Sequence, residues 1–294
     1  MISLIKTLLF CSILIFNGCA NIISYQMTKP IKGAKMHSEV LSDMEMFYYT
    51  LGNENNPPLI FLHGILAFTE IYKSFLISLS DQFYIIGIDL PGHGRSSAPS
   101  ENYDIYRMGE DVVSLTKKLR LDSFFLVGHS MGGLVTLLIC ERYPESVIKA
   151  VSIASLFNAS GINFANKRYD FLNERGFQKN SEDHTNFLLE VFNHSYKRIN
   201  ETDKFNKTKM ILEDYQSDLY PQISQEQLKL IKVPILVVVA EKDQLIKPKH
   251  TRRMCEFLPQ GTLISFPKAN HGNIIGTKRN IVNLTKSITY YFGV

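Results

Sequence analysis

The stretch Phe124-Phe125-Leu126-Val127-Gly128-His129-Ser130-Met131-Gly132-Gly133 is an apolar strand that runs into G-x-S-x-G, and the apolar helix Leu134 to Tyr143 follows it. Strand, sharp turn and helix in that order form a nucleophile elbow, which places Ser130 as a nucleophile. Such a turn holds its central residue in strained backbone geometry, and bulky side chains at Gly128 or Gly132 would collide with neighbouring backbone. The backbone N–H of Met131 opens the helix and points toward the space where an oxyanion would form, with the helix dipole adding positive character there.

A serine hydroxyl is a weak nucleophile at neutral pH, so the chain must also supply a base and a carboxylate that orients it. Val233-Pro234-Ile235-Leu236-Val237-Val238-Val239-Ala240 reads as a buried parallel strand, and Glu241-Lys242-Asp243 follows at its C-terminal end. A further strand, Thr262-Leu263-Ile264-Ser265-Phe266, leads through a loop to Asn270-His271-Gly272. The series Ser130, Asp243, His271 has the nucleophile, acid, histidine order of one convergent triad class.

With these residues the chain resembles an α/β-hydrolase from about Glu39 to the C-terminus. The resemblance rests also on Pro58-Leu59-Ile60-Phe61-Leu62-His63-Gly64-Ile65, a strand ending in a His-Gly turn, and on Asp89-Leu90-Pro91-Gly92-His93-Gly94-Arg95-Ser96-Ser97. It implies that the backbone N–H of Ile65 is the second oxyanion donor, opposite Met131. It also favours Asp243 as the acid over Glu241, two residues earlier. Ala240 and Asn270 depart from the family's usual glycines, and neither change removes a group that the mechanism uses.

Composition fits an enzyme domain. With 294 residues and 45% hydrophobic content the chain can bury a full core. Its 32 basic against 28 acidic residues leave +4 and no basic stripe, so nucleic acid is not an expected partner. His63 and His93 sit in glycine-flanked turns where a structural hydrogen bond is the usual task, while His37, His184, His194 and His250 show no metal-ligand spacing. No metal and no organic cofactor is expected.

The N-terminus carries a different message. Lys6 and the apolar run Thr7 to Phe16 have the length of an export-signal h-region, too short to span a bilayer comfortably. Phe16-Asn17-Gly18-Cys19-Ala20-Asn21 resembles a bacterial lipobox, whose cysteine is diacylated and becomes the new N-terminus; a plain signal peptide and an uncleaved anchor are the alternatives. The resemblance implies an exported lipoprotein held on a membrane through Cys19, and Ala20 in place of aspartate points to the outer membrane. Of four cysteines, Cys140 and Cys255 remain in the folded part and are read as free thiols.

The expected fold is α/β: a mostly parallel sheet flanked by helices, with an inserted helical cap. Strands are expected in a first hairpin over Val40–Tyr49, near Leu59, and at Phe83–Ile88, Phe124–Val127, Ala150–Ala154, Ile235–Ala240 and Leu263–Phe266. The boundaries are a leader at 1–18, a polar tether at 19–33, a core of 34–155 with 232–294, and a cap at 156–231. The cap lacks a β-branched run and carries Phe157, Phe164, Tyr169, Phe171, Phe177, Phe187, Phe192, Tyr196, Phe205 and Tyr215 at loosely helical spacing. Most of these aromatics would form the cap's own core; the rest, with Leu66, Phe68 and His129, would line an apolar acyl site.

The expected activity is hydrolysis of a carboxylic ester, from a small molecule or a lipid, through an acyl-enzyme on Ser130. A C–C bond hydrolase, a thioesterase or a perhydrolase would use the same residues, and a ligand-binding lipoprotein could keep the triad without turnover.

Overall fold

The computed structural model describes residues 19–98, 104–163, 181–206 and 222–294, with backbone alone at 181–189. The expected leader at 1–18 lies outside the described residues. So do Phe164, Tyr169, Phe171, Phe177, Tyr215 and the side chain of Phe187.

Hydrophobic runs become strands where both faces can be covered. In β3 (Pro58–Leu62), Ile60 and Leu62 enter one apolar core while Leu59 and Phe61 enter the other. In β7 (Ile235–Ala240) the same alternation sends Ile235 and Val237 one way and Leu236 and Val238 the opposite way. A strand apolar on both faces reads as a continuous run, which is why the sequence signals it without alternation.

Among the described residues the strands form one sheet of order β1-β2-β4-β3-β5-β6-β7-β8. Here β1 is Lys35–Leu41, β2 Met44–Leu51, β4 Tyr84–Ile88, β5 Phe124–His129, β6 Val147–Ile153 and β8 Gly261–Phe266. The hairpin β1–β2 and the pair β2–β4 are antiparallel; from β4 to β8 every pair is parallel. The hairpin begins earlier than Val40, at Lys35; β6 begins at Val147, three residues before the expected Ala150, and β8 at Gly261, two before Leu263.

Helices cover both faces. On one side pack α3 (Ile105–Lys118), α4 (Met131–Arg142), α7 (Gln225–Leu230) and α8 (Pro248–Phe257), contributing Val112, Leu138, Leu228 and Met254 to the core. On the other side lie α2 (Lys73–Leu79), α9 (Asn273–Gly276) and α10 (Lys278–Phe292), with Phe75, Ile274 and Leu284. The chain between β6 and β7 is described in part: an irregular stretch over 154–163, in which Ile162 bridges to Ile246, is followed among the described residues by the helices α5 (Ser181–Arg198), residues 202–206 as α6, and α7.

The expected polar tether is a different object. Residues 19–27 are helical, here α1, with Ala20 and Ser24 fully buried. The Arg198 side chain donates to Ser24 Oγ at 3.1 Å and to Asn21 Oδ1 at 3.2 Å. The Lys73 ammonium donates to the carbonyls of Gln26, Met27 and Lys29, where α1 ends and its last carbonyls lack helical partners. Polar composition suggested a solvated linker; two cations from distant parts of the chain turn it into a docked helix. Among the described residues no helix is long and apolar enough to cross a membrane.

Candidate active site

The parallel strands deliver three loops to one edge of the sheet, where groups at strand ends can meet. At the end of β5 the backbone of Ser130 adopts φ 54° and ψ −120°. A non-glycine residue there costs on the order of 1–3 kcal/mol, held in place by the packing around it. That packing leaves room for hydrogen only. A Cβ on Gly128 would lie 2.1 Å from the Gly132 carbonyl oxygen, one on Gly132 would lie 2.3 Å from that of Leu62, and one on Gly133 would lie 2.6 Å from Ser155 Cβ. Ser130 is fastened from below: its N–H donates to the Ile153 carbonyl at 2.9 Å, and its carbonyl accepts from Ser155 Oγ at 2.7 Å.

The side chain of Ser130 faces His271, with Oγ 3.0 Å from Nε2. On the ring's other side Nδ1 lies 2.8 Å from Asp243 Oδ2. The second oxygen of Asp243, Oδ1, accepts the backbone N–H groups of Leu245 and Ile246 at 2.8 and 2.9 Å. Asp243 is thus held by three donors, and a carboxylate so held orients the imidazole and stabilises its protonated form. Glu241, the competing carboxylate, points elsewhere and pairs with Arg252.

The loop carrying His271 is closed by a reciprocal amide pair. Asn270 N–H donates to Asn273 Oδ1 at 2.8 Å and Asn273 N–H donates to Asn270 Oδ1 at 2.9 Å. This gives Asn270 a task that glycine could not perform. The acid loop is tied to the same segment by Lys242 N–H on the Ala269 carbonyl at 2.8 Å.

The His63-Gly64-Ile65 turn leans on Ser130. A Cβ on Gly64 would sit 3.2 Å from Ser130 Cβ, so the peptide before Ile65 runs directly beside the serine. Met131 opens α4, where the first N–H groups have no partner within the helix. The expected donors Ile65 and Met131 thus belong to the turn beside Ser130 and to the first residue of α4. His63 anchors the turn, donating from Nδ1 to the Gly64 carbonyl at 2.7 Å while Nε2 accepts Leu90 N–H at 2.9 Å. Complete burial pushes its pKa down to about 4, so it holds the turn as a neutral ring.

Three expected substrate contacts are placed otherwise. Phe68 is fully buried, edge-on to Tyr196 of α5 at 5.7 Å between ring centroids, and Leu66 joins the same cluster with Ile199 and Phe205. These residues clamp the inserted segment to the core: Tyr196 also accepts Gly94 N–H on its hydroxyl at 3.2 Å. His129 has both ring nitrogens engaged, by the Tyr72 hydroxyl and the His271 carbonyl, which leaves it no polar atom for substrate. Nearness in sequence to the His-Gly turn and the elbow is what suggests a substrate contact for these side chains, and which surface each covers depends on chain segments far away in sequence.

Sequence reasoning missed Tyr72, Ser155 and Asn273. Tyr72 sits in the short 3-10 turn Thr69–Tyr72 with no local pattern around it. Ser155 lies two residues past the end of β6, and a polar residue just beyond a buried strand beside the elbow was the signal available.

Comparison with known proteins agrees with this architecture. The family model for the alpha/beta hydrolase fold matches residues 57–203. The 3-oxoadipate enol-lactonase 2 of Acinetobacter baylyi is 25% identical over 239 residues, covering 79% of this chain and 88% of that protein. The bifunctional esterase/perhydrolase DCH of Acinetobacter calcoaceticus is 27% identical over 254 residues, covering 78% and 90%. Among solved structures, a membrane phospholipase A superposes with a TM-score of 0.72 at 20% identity, over 99% of this chain and 97% of that one. The sheet order, the elbow and the family match lead to one conclusion: the chain belongs to the alpha/beta hydrolase fold family and is a hydrolase.

Proposed function

We propose that this hydrolase cleaves carboxylic esters by acyl transfer through Ser130. The observation that carries the reading is the unbroken hydrogen-bonded line from Asp243 through His271 to the strained Ser130. His271 Nε2 takes the serine proton as Oγ attacks the ester carbonyl, and the oxyanion forms between the N–H groups of Ile65 and Met131. Collapse expels the alcohol, protonated by His271, and leaves an acyl-enzyme. His271 then deprotonates a water that attacks the acyl carbon, and the carboxylic acid departs as Oγ recovers its proton. The names of the two relatives above, a lactonase and an esterase, describe cleavage of the same bond class.

The substrate is a small-molecule ester or a lipid, and the N-terminus supports a lipid surface nearby. In this reading residues 1–18 are a leader, Cys19 is acylated, and the enzyme is an exported lipoprotein at the outer membrane. Cys19 is exposed at the start of α1, and α1 is pinned to the body by Lys73 and Arg198. Acyl chains on Cys19 would then hold the catalytic body against the bilayer, with the exposed Ile22 and Tyr25 beside it.

Two measurements test the reading. A fluorophosphonate should label the wild-type chain and not Ser130→Ala, with turnover of 4-nitrophenyl butyrate falling on the order of a million-fold if the triad acts as a unit. Folded wild-type chain that neither labels nor turns over would reject an enzyme in favour of a binding protein. Metabolic labelling with a fatty-acid analogue should tag the wild type and not Cys19→Ser, and equal processing of both would favour an ordinary secreted enzyme.

A further inference from the structure

The residue before the nucleophile belongs to a buried row that ends at two parts of the machinery. His129 Nε2 lies 3.1 Å from the carbonyl oxygen of His271. A carbonyl can only accept, so Nε2 carries the proton and Nδ1 is left as an acceptor. Nδ1 lies 3.0 Å from the Tyr72 hydroxyl, which must therefore donate to it. That hydroxyl in turn accepts the Gly64 N–H at 3.1 Å. Each proton has one assignment: Gly64 N–H to Tyr72, Tyr72 O–H to His129, and His129 Nε2–H to His271.

The ends of this row matter because of where they stand. Gly64 precedes Ile65, an oxyanion donor of the proposed mechanism, and His271 is its base. Ser130 is bonded directly to His129, at the middle of the row. Tyr72 and His129 are 6% and 5% exposed, so water does not replace these bonds if one is removed. The rings also pack in sequence, Tyr72 on His129 at 5.6 Å and His129 on His271 at 4.9 Å.

We propose that Tyr72 and His129 are positioning residues that hold the oxyanion turn and the base His271 in register across Ser130. The proposal rests on the reading of Ser130 as nucleophile. Neither side chain touches the reacting atoms; they act through the backbone at Gly64 and His271. Burial and the adjacent His271 hold the His129 pKa down to about 3, so it remains a neutral ring with the tautomer that the row requires. A looser row would leave substrate binding intact and misplace the groups needed only in the transition state, where small displacements are costly.

The test uses the full-length chain in mild detergent, with wild type, Tyr72→Phe, His129→Leu, His129→Gln and Ser130→Ala compared on 4-nitrophenyl butyrate. Tyr72→Phe should lower kcat about tenfold and His129→Leu about a hundredfold, with KM changed less than about twofold. His129→Gln, whose amide can still donate to the His271 carbonyl, should recover most of the loss. Affinity for a boronic acid, which forms a tetrahedral adduct on the serine, should fall with kcat, while inhibition by the product butyrate stays constant. If Tyr72→Phe does not fold, His129→Leu against His129→Gln decides alone. Unchanged kcat in Tyr72→Phe and His129→Leu, or losses confined to melting temperature, would overturn the positioning role while Ser130→Ala stays dead. Ester turnover that survives Ser130→Ala would overturn the nucleophile reading and this proposal with it.

Discussion

Replacing Asp243 with Asn tests the acid through geometry alone, because the shape is kept and one oxygen becomes NH₂. Two backbone donors decide how the amide sits. The N–H groups of Leu245 and Ile246, at 2.8 and 2.9 Å, both need an acceptor where Oδ1 stood. The Asn oxygen takes that place, since the reverse would strand two donors at about 1–3 kcal/mol each. The NH₂ then faces His271 Nδ1, which Oδ2 had approached to 2.8 Å. The ring must accept at Nδ1 and carry its proton on Nε2, toward Ser130, where it cannot take another. The wrong tautomer should lower kcat about ten-thousand-fold, or about 5.5 kcal/mol of barrier at 1.36 kcal/mol for each tenfold. Glu241→Gln is the matched control. Its carboxylate pairs with Arg252, with side chains 23% and 40% exposed, so the change should cost less than about 1 kcal/mol of stability and leave kcat within about threefold. The assay is kcat for 4-nitrophenyl butyrate near neutral pH, with thermal melting of each variant alongside. Asp243→Asn within about tenfold of wild type, or a larger loss in Glu241→Gln, would refute the assignment.

Acyl-chain preference and acid stability follow from the same structure. If the segment between β6 and β7 supplies apolar contacts over the triad, kcat/KM should rise from acetate esters to butyrate and hexanoate, with each buried methylene offering about 0.8 kcal/mol; a steady fall from acetate upward would contradict an apolar acyl site. Burial holds His63 down to about 4 and His93 and His129 down to about 3, against an ordinary value of 6.5. The unfolded chain binds these protons near pH 6.5 and the native chain does not. Stability is therefore full above that pH and falls as pH drops toward 4, by about 2 kcal/mol for each ring at pH 5. Glu70 and Asp89, raised above the usual carboxylate range by burial, offset part of that slope. Urea midpoints at pH 7.5 and 5 check the sign, and a midpoint that rises on acidification would show that the carboxylates dominate.

Local chemistry makes much of this protein legible in its sequence. Continuous apolar runs such as Ile235–Ala240 named the strands, because a strand covered on both faces needs no polar alternation. Gly128 and Gly132 around Ser130 named the elbow, because a Cβ at either would meet backbone closer than 3 Å. The order of Ser130, Asp243 and His271 named the candidate triad, since these residues follow β5, β7 and β8, where chain order and strand order coincide.

What sequence could not decide were contacts between segments that share no local pattern. Glu241 and Asp243 are equivalent by spacing, and only the position of Arg252 on α8 and of His271 beyond β8 separates them. The stretch from residue 19 to 27 is polar enough to read as a tether, and becomes a docked helix only because Lys73 and Arg198 arrive from α2 and α5 to satisfy its carbonyls and side chains. Leu66, Phe68 and His129 were assigned to the substrate by their nearness to the elbow. Tertiary packing instead set the first two against Tyr196 and joined the third to Tyr72, because a side chain's neighbours are chosen by the sheet order and not by distance along the chain.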